Sequence, residues 1–172
     1  MSKTENKPRI QLTFETELSF AQELRETPLG SQHFLPASNT ILDPHVKGVS
    51  KLCFSPDFYT LDLELEITGD LVGDREITLA HLHLDDASAT GPLTVSFYPN
   101  DKAQVTIKED KQFKLKIQLT NNDIIPRKNN NDFSTNTILS LYNAILGRNL
   151  YVDAHGKGDY LLGMIRGQLY QN

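Results

Sequence analysis

Two histidines stand two residues apart in the segment Thr78–Asp86, at positions 81 and 83. Within Ala80–Leu84 apolar and polar side chains alternate, which is typical of a β-strand with one buried face. Successive strand residues point to opposite faces and rise about 3.3 Å each, so His81 and His83 share a face with Cβ atoms about 7 Å apart. Two imidazoles at that separation can converge on one metal ion, with metal–nitrogen distances of about 2 Å.

A third histidine, His155, has the same orientation in a later predicted strand. In 150–155 the apolar side chains alternate with Asp153 and His155. In the last predicted strand, 163–170, Arg166 alternates with apolar residues in the same way. Three histidines and one arginine therefore lie on the polar side of their strands, which we expect to be the outer face of the sheet. Alternation alone does not establish that these strands are neighbours.

These side chains support two interpretations. In the first, His81, His83 and His155 bind one Zn or Cu ion, with a fourth position open for water or substrate. Three further residues then lie beside the ligands: Arg166, Asp85 and Asp153. In the second, the same groups form a hydrogen-bonded cluster of His, Arg, Asp and Tyr that closes one face of the sheet beneath a loop. No nucleophile–base pair, phosphate loop or acid pair stands out elsewhere, so no catalytic residue is assigned.

The elements that must position these residues are mainly strands. Period-two alternation is clearest at 12–20, 61–67 and 113–119, and shorter strands are predicted at 50–54, 77–84, 93–98, 104–107, 150–155 and 163–170. Gly, Pro, Asn and Asp turns separate them. This pattern predicts an all-β protein, an antiparallel β-sandwich or barrel with polar residues on the outer side.

One segment has a helical period instead. Its apolar residues follow i, i+3, i+4, i+7 spacing, at Ile138, Leu141, Tyr142 and Ile145. This spacing predicts one short amphipathic helix over 135–146. Asp132 or Ser134 can cap its start, and Gly147 suits the left-handed position after its end.

The chain has 172 residues with a net charge of −5, 38% hydrophobic residues and one cysteine. These values fit a single domain, which we expect to span 9–172 after a disordered N-terminus at 1–8. The absence of a basic stripe excludes nucleic-acid binding, and no apolar run approaches the length of about 20 residues that a membrane span needs. The partners that remain are a protein or a small ligand. The first residues are charged and lack the apolar stretch of a signal peptide, so we expect a cytoplasmic protein or the mature form of a secreted one.

Four ordered motifs resemble the chordin-type (CHRD) domain family: Ala80-His-Leu-His83, Thr90-Gly-Pro92, Asn149-Leu-Tyr-Val-Asp-Ala-His155 and Gly163-Met-Ile-Arg-Gly-Gln-Leu169. The resemblance covers roughly residues 46–170. It implies that His81, His83, His155 and Arg166 are signature residues, without implying a reaction. Two positions depart from the family pattern, because Gly156 replaces the usual threonine and Asp85 replaces a common glycine.

The outward His-x-His pair is also similar to that of copper-zinc superoxide dismutases, which add a later histidine and an arginine near the C-terminus. This second likeness implies a Greek-key, dismutase-like topology and an alternative function, a metal-dependent enzyme with copper redox chemistry. It rests on analogy of fold. The favoured hypothesis is a CHRD-like binding or interaction module without enzymatic activity. Its functional face is the one that carries the histidines.

Overall fold

The computed structural model describes residues 12–19, 45–88, 90–157 and 163–171; the predicted disordered segment 1–8 lies outside them. Eleven strands and one α-helix occur in the described ranges. They are β1 (Thr13–Ser19), β2 (Lys47–Phe54), β3 (Thr60–Thr68), β4 (Ile77–His83), β5 (Leu93–Tyr98), β6 (Gln104–Lys108), β7 (Gln112–Thr120), β8 (Arg127–Lys128), β9 (Ser134–Thr135), α1 (Ile138–Leu146), β10 (Leu150–Gly156) and β11 (Ile165–Leu169). No helix in these ranges is long and apolar enough to cross a membrane.

Nine of the strands form one antiparallel sheet, in the order β5-β4-β10-β11-β1-β2-β3-β7-β6. The strands β8 and β9 form a separate two-stranded ladder. This arrangement confirms the predicted all-β, antiparallel class. It also answers the question that alternation left open, because β4, β10 and β11 are direct neighbours although β4 lies far from the other two in the chain.

The large sheet curls so that the apolar sides of its two halves meet in one core. Leu52 and Leu63 from one half and Leu82, Val152 and Ile165 from the other are all fully buried in that core. Burying a side chain of this size contributes about 1.5–3 kcal/mol. The many buried alternate residues therefore determine which face of each strand points inward, and the polar residues between them must take the opposite face.

The helix α1 covers part of this core with its predicted apolar stripe. Ile138, Leu141 and Ile145 are fully buried, and the ring of Tyr142 contacts Phe54 and Phe58 at centroid distances of 5.5 and 4.9 Å. Aromatic pairs at such distances add to the stability that burial alone provides.

The predicted N-cap of α1 was wrong, and Gly147 is the C-cap but does not have the predicted left-handed conformation. The helix is capped by Thr137, whose hydroxyl accepts a hydrogen bond from the Ser140 amide, and not by Asp132 or Ser134. Ser134 is unsuited to the role because it belongs to β9 and pairs with Lys128. At the other end Gly147 has a φ of −81°, and the left-handed residue is Arg148 with a φ of +58°.

Candidate functional site

The strands β4, β10 and β11 place the predicted site residues side by side. In the antiparallel register His83 lies opposite Tyr151 and His81 lies opposite Asp153. Asp153 lies in turn opposite Arg166 on β11. Opposed residues on paired strands project from the same face of a sheet. The register therefore brings together groups that alternation could only assign to the same side.

The three histidines form a compact group, which we call the histidine cluster (His81, His83 and His155). One ring nitrogen of each lies within 4.8 Å of those of the other two. The ring of His81 lies 5.6 Å from that of His83 and 5.1 Å from that of His155, centroid to centroid. Nitrogens bound to one tetrahedral ion at about 2 Å would lie about 3.3 Å apart. Side-chain adjustments on the order of 1 Å would thus bring all three onto a common ion.

The face that carries the cluster points away from the apolar core, as predicted, but it is not open to solvent. Asp153, His155 and Arg166 are 3%, 7% and 2% exposed, whereas His81 and His83 are half-buried. In the described residues, Asp86 contacts Arg166, Gly91 contacts His83, and Gly163 lies against Asp153.

A hydrogen bond determines which nitrogen of His83 faces the cluster. The Nδ1 of His83 lies 2.9 Å from the carbonyl oxygen of Gly91, so Nδ1 carries the proton and donates it. The remaining nitrogen, Nε2, keeps its lone pair and is buried with no hydrogen-bond partner among the described residues. Metal-binding histidines commonly have this arrangement, with one nitrogen bonded to a backbone carbonyl and the other turned to the ion.

The imidazole of His83 is further held by a stack. It lies parallel to the ring of Tyr151, with centroids 5.1 Å apart and planes 10° apart. The guanidinium carbon of Arg166 lies 3.4 Å from the centroid of the same Tyr151 ring. Arg166 also donates a hydrogen bond to the Asp86 carbonyl at 2.8 Å. A cation over an aromatic face is stabilising, and more so when both groups are desolvated. Arg166 therefore holds the Tyr151 ring in place, and that ring in turn holds the imidazole of His83.

Two carboxylates were predicted beside the ligands, and they occupy different surroundings. One oxygen of Asp153, Oδ2, lies 3.3 Å from Nε2 of His155 and 3.9 Å from Nε2 of His83. Asp85 instead lies beside a group of amides, with Oδ1 at 3.5 Å from the side-chain nitrogens of both Asn129 and Asn131. Of the two, Asp153 is the carboxylate that contacts the histidine cluster.

A family model for the CHRD domain matches residues 14–169. The chain belongs to the CHRD domain family. The match spans all three strands of the site and nearly the whole chain, and it confirms the resemblance seen in the sequence motifs. At the level of the family, it supports a binding or interaction module. No curated protein and no solved structure matches this CHRD domain.

Burial favours the neutral form of the His81 and His83 imidazoles in this CHRD domain. Loss of hydration, together with the neighbouring His155 and His83, lowers the pKa of His81 from its ordinary 6.5 to about 4, and the Asp153 carboxylate opposes this shift. Burial also lowers the pKa of His83, although the hydrogen bond to Gly91 and the Asp153 carboxylate act in the opposite direction. A neutral imidazole has a free lone pair, so at neutral pH these side chains are in the form that binds metals.

This shift predicts that the metal-free CHRD domain loses stability as the pH falls from 6.5 towards 4. His81 takes up a proton at pH 6.5 when unfolded but only near pH 4 when folded, so protons favour the unfolded state in that window. The partial exposure of the ring reduces the effect to about 1–2 kcal/mol. Urea unfolding in the presence of a chelator gives the free energy of unfolding at pH 7.5, 5.5 and 4.5, and the variant His81→Gln serves as the comparison. A stability difference between the two proteins that stays constant with pH would contradict the prediction.

Sequence reasoning quoted Gly91 and Gly163 as members of family motifs but did not assign them to the site. A Cβ on Gly91 would lie 2.1 Å from the carbonyl oxygen of Leu84, and a Cβ on Gly163 would lie 2.0 Å from Oδ1 of Asp153. The signal for Gly91 was available, because a Gly-Pro dipeptide eight residues after His83 marks a turn that can fold back on the strand. Gly163 gave no comparable signal.

Proposed function

We propose that this CHRD domain is a metal-binding module, in which His81, His83 and His155 hold one Zn or Cu ion. The observation that carries the proposal is the convergence of three ring nitrogens within 4.8 Å of one another. Zn and Cu are among the metal ions that imidazole ligands suit, whereas Mg and Ca prefer oxygen. The module binds or presents the ion and acts through an interaction rather than through turnover.

Unsatisfied polar atoms support an ion in preference to a hydrogen-bond network. In the described part of the chain, Nδ1 of His81, Nε2 of His83 and Oδ1 of Asp153 are buried without a hydrogen-bond partner. Leaving a buried polar group unpaired costs about 1–3 kcal/mol. A network of protein groups would have satisfied these atoms, whereas a bound ion satisfies the nitrogens directly.

The surroundings of the ligands also fit a metal site. The Gly91 carbonyl fixes the orientation of His83, and Tyr151 and Arg166 pack behind that imidazole. Partners of this kind raise the affinity of a site because they hold each ligand in its binding orientation before the ion arrives. Arg166 contacts the same Tyr151 ring that stacks on His83, so it supports this ligand through Tyr151.

Metal content tests the proposal. The untagged protein, freed of metal with a chelator and incubated with Zn²⁺ or Cu²⁺, should retain about one equivalent after gel filtration. The variant His81→Ala should retain much less, because it lacks one of three ligands. His45→Ala is the matched control, since His45 is exposed and lies outside the histidine cluster, and it should retain as much as the unaltered protein. Equal metal content in His81→Ala and in His45→Ala would refute the site.

A further inference from the structure

The carboxylate of Asp153 has a geometry that suits a ligand. Its Oδ2 is 3.3 Å from Nε2 of His155, which equals the separation of about 3.3 Å expected between two ligands of one tetrahedral ion. The distance from Oδ2 to Nε2 of His83 is 3.9 Å, only slightly longer. The same oxygen is therefore close to two of the three histidines at once.

The burial of Asp153 calls for a cation. The side chain is 5% exposed, and its Oδ1 has no hydrogen-bond partner among the described residues. A buried carboxylate that is not fully paired is destabilising, because it has lost its hydration without gaining a partner. A divalent ion on Oδ2 would supply the compensating charge at bonding distance.

The backbone around Asp153 holds its carboxylate in one direction. Gly163 has a φ of +93°, and a Cβ at this position would lie 2.0 Å from Oδ1 and 2.8 Å from Oδ2. Only glycine allows the chain to close so tightly over this side chain. Gly163 encloses the outer side of the carboxylate, and Oδ2 is left within reach of the imidazoles.

We infer that Asp153 is the fourth ligand of the histidine cluster and closes it into a four-coordinate Zn site. Two ligands would come from β4, His81 and His83, and two from β10, Asp153 and His155, each pair two residues apart on its strand. Zn accepts nitrogen and carboxylate oxygen in tetrahedral sites. A site with four protein ligands has no position left for water or substrate, so the ion joins two strands and does not catalyse. The inference rests on the three-histidine site proposed above.

Cobalt substitution tests whether the fourth position is closed. Metal-free protein with one equivalent of Co²⁺ should give the visible absorption of a tetrahedral ion, and added azide should leave that spectrum unchanged. In Asp153→Asn the position opens, so Co²⁺ affinity should fall at least tenfold, on the order of what loss of one well-placed partner costs a metal site. Azide should now change the spectrum of that variant. Asp62→Asn is the matched control, because its carboxylate is exposed on β3, and it should behave as the unaltered protein.

The outcomes separate this inference from the proposal on which it rests. An azide-dependent spectrum in the unaltered protein would overturn the fourth ligand while leaving the three-histidine site intact, and this measurement needs no variant to fold. Asp153→Asn that binds Co²⁺ as tightly as the unaltered protein would overturn it as well. If Co²⁺ and Zn²⁺ fail to bind the unaltered protein at all, the three-histidine site fails, and the fourth ligand fails with it.

Discussion

Zn²⁺ added to the metal-free protein is expected to raise the midpoint of thermal unfolding by roughly 8–16 °C. An ion that binds only the folded state stabilises it by about 4.1 kcal/mol when its free concentration is a thousand times the dissociation constant. For a chain of this size, each kcal/mol shifts the midpoint by about 2–4 °C. The folded state alone presents the site, because His83 and His155 are separated by about seventy residues of chain and meet only when β4 pairs with β10.

Differential scanning calorimetry with and without Zn²⁺ measures this shift, and a chelator should reverse it. The variant His81→Ala should lose most of the shift, and His45→Ala should keep it. Mg²⁺ should have little effect on any of the three proteins, because it prefers oxygen ligands and octahedral geometry. A Zn²⁺ shift of equal size in His81→Ala would mean that the ion stabilises the fold from somewhere other than the histidine cluster.

The sequence was sufficient to assign each site residue to a face. Leu82, Val152 and Ile165 are strongly apolar and must enter the core, so the intervening His81 and Asp153 take the opposite face by the geometry of a strand alone. The same reasoning predicted the apolar stripe of α1. The spacing of apolar residues along a strand or a helix depends only on neighbouring residues, so the buried face of each element can be deduced from the sequence of that element alone.

The pairing of β4 with β10 could not be deduced in this way. It joins residues about seventy positions apart, and many strand orders would satisfy the same alternation. Only the packing of the whole curled sheet selects the order in which Asp153 lies opposite His81. The family resemblance grouped the histidines with Arg166, but it did not indicate that Asp153 would be the carboxylate at the cluster and that Asp85 would lie among asparagines.

The predicted N-cap failed for a related reason. Ser134 has the side chain of a good cap, but in β9 it pairs with Lys128 of β8, and the chain turns into the helix only at Thr137. Gly147 is required by a contact instead of a conformation, because a Cβ there would lie 2.2 Å from Cζ of Phe133. The error at Ser134 therefore arises from a strand pairing that overrides a local preference.

Gly91→Ala is expected to disrupt both the fold around the site and the orientation of His83. The new methyl group would lie 2.1 Å from the carbonyl oxygen and 2.5 Å from the carbonyl carbon of Leu84, and backbone atoms cannot move aside as a flexible side chain can. The amide of Leu84 is moreover bonded to the carbonyl of Pro92 at 3.0 Å, so the turn cannot open without breaking that bond. Overpacking of this kind costs about 1–3 kcal/mol.

The displacement should also reach the proposed metal site, because Gly91 makes one hydrogen bond with His83 and one with Tyr151. Its carbonyl accepts from Nδ1 of His83 at 2.9 Å, and its amide donates to the hydroxyl of Tyr151 at 3.2 Å. Loss of a partner that orients a ligand lowers metal affinity by about 10–100-fold. Urea unfolding of the metal-free variant measures the first effect, and competition of a chromogenic chelator for Zn²⁺ measures the second.

Gly73→Ala separates these effects from the general cost of replacing a glycine. A Cβ on Gly73 would meet nothing within 4 Å, and only its φ of +59° opposes the substitution. Its cost should therefore be about 1 kcal/mol from backbone strain, with Zn²⁺ affinity unchanged. If Gly91→Ala lowered stability without lowering Zn²⁺ affinity, the hydrogen bond between Gly91 and His83 would stabilise the loop but would not be needed to orient His83 for the ion. The tautomer of His83 would then have to be set by the ion itself.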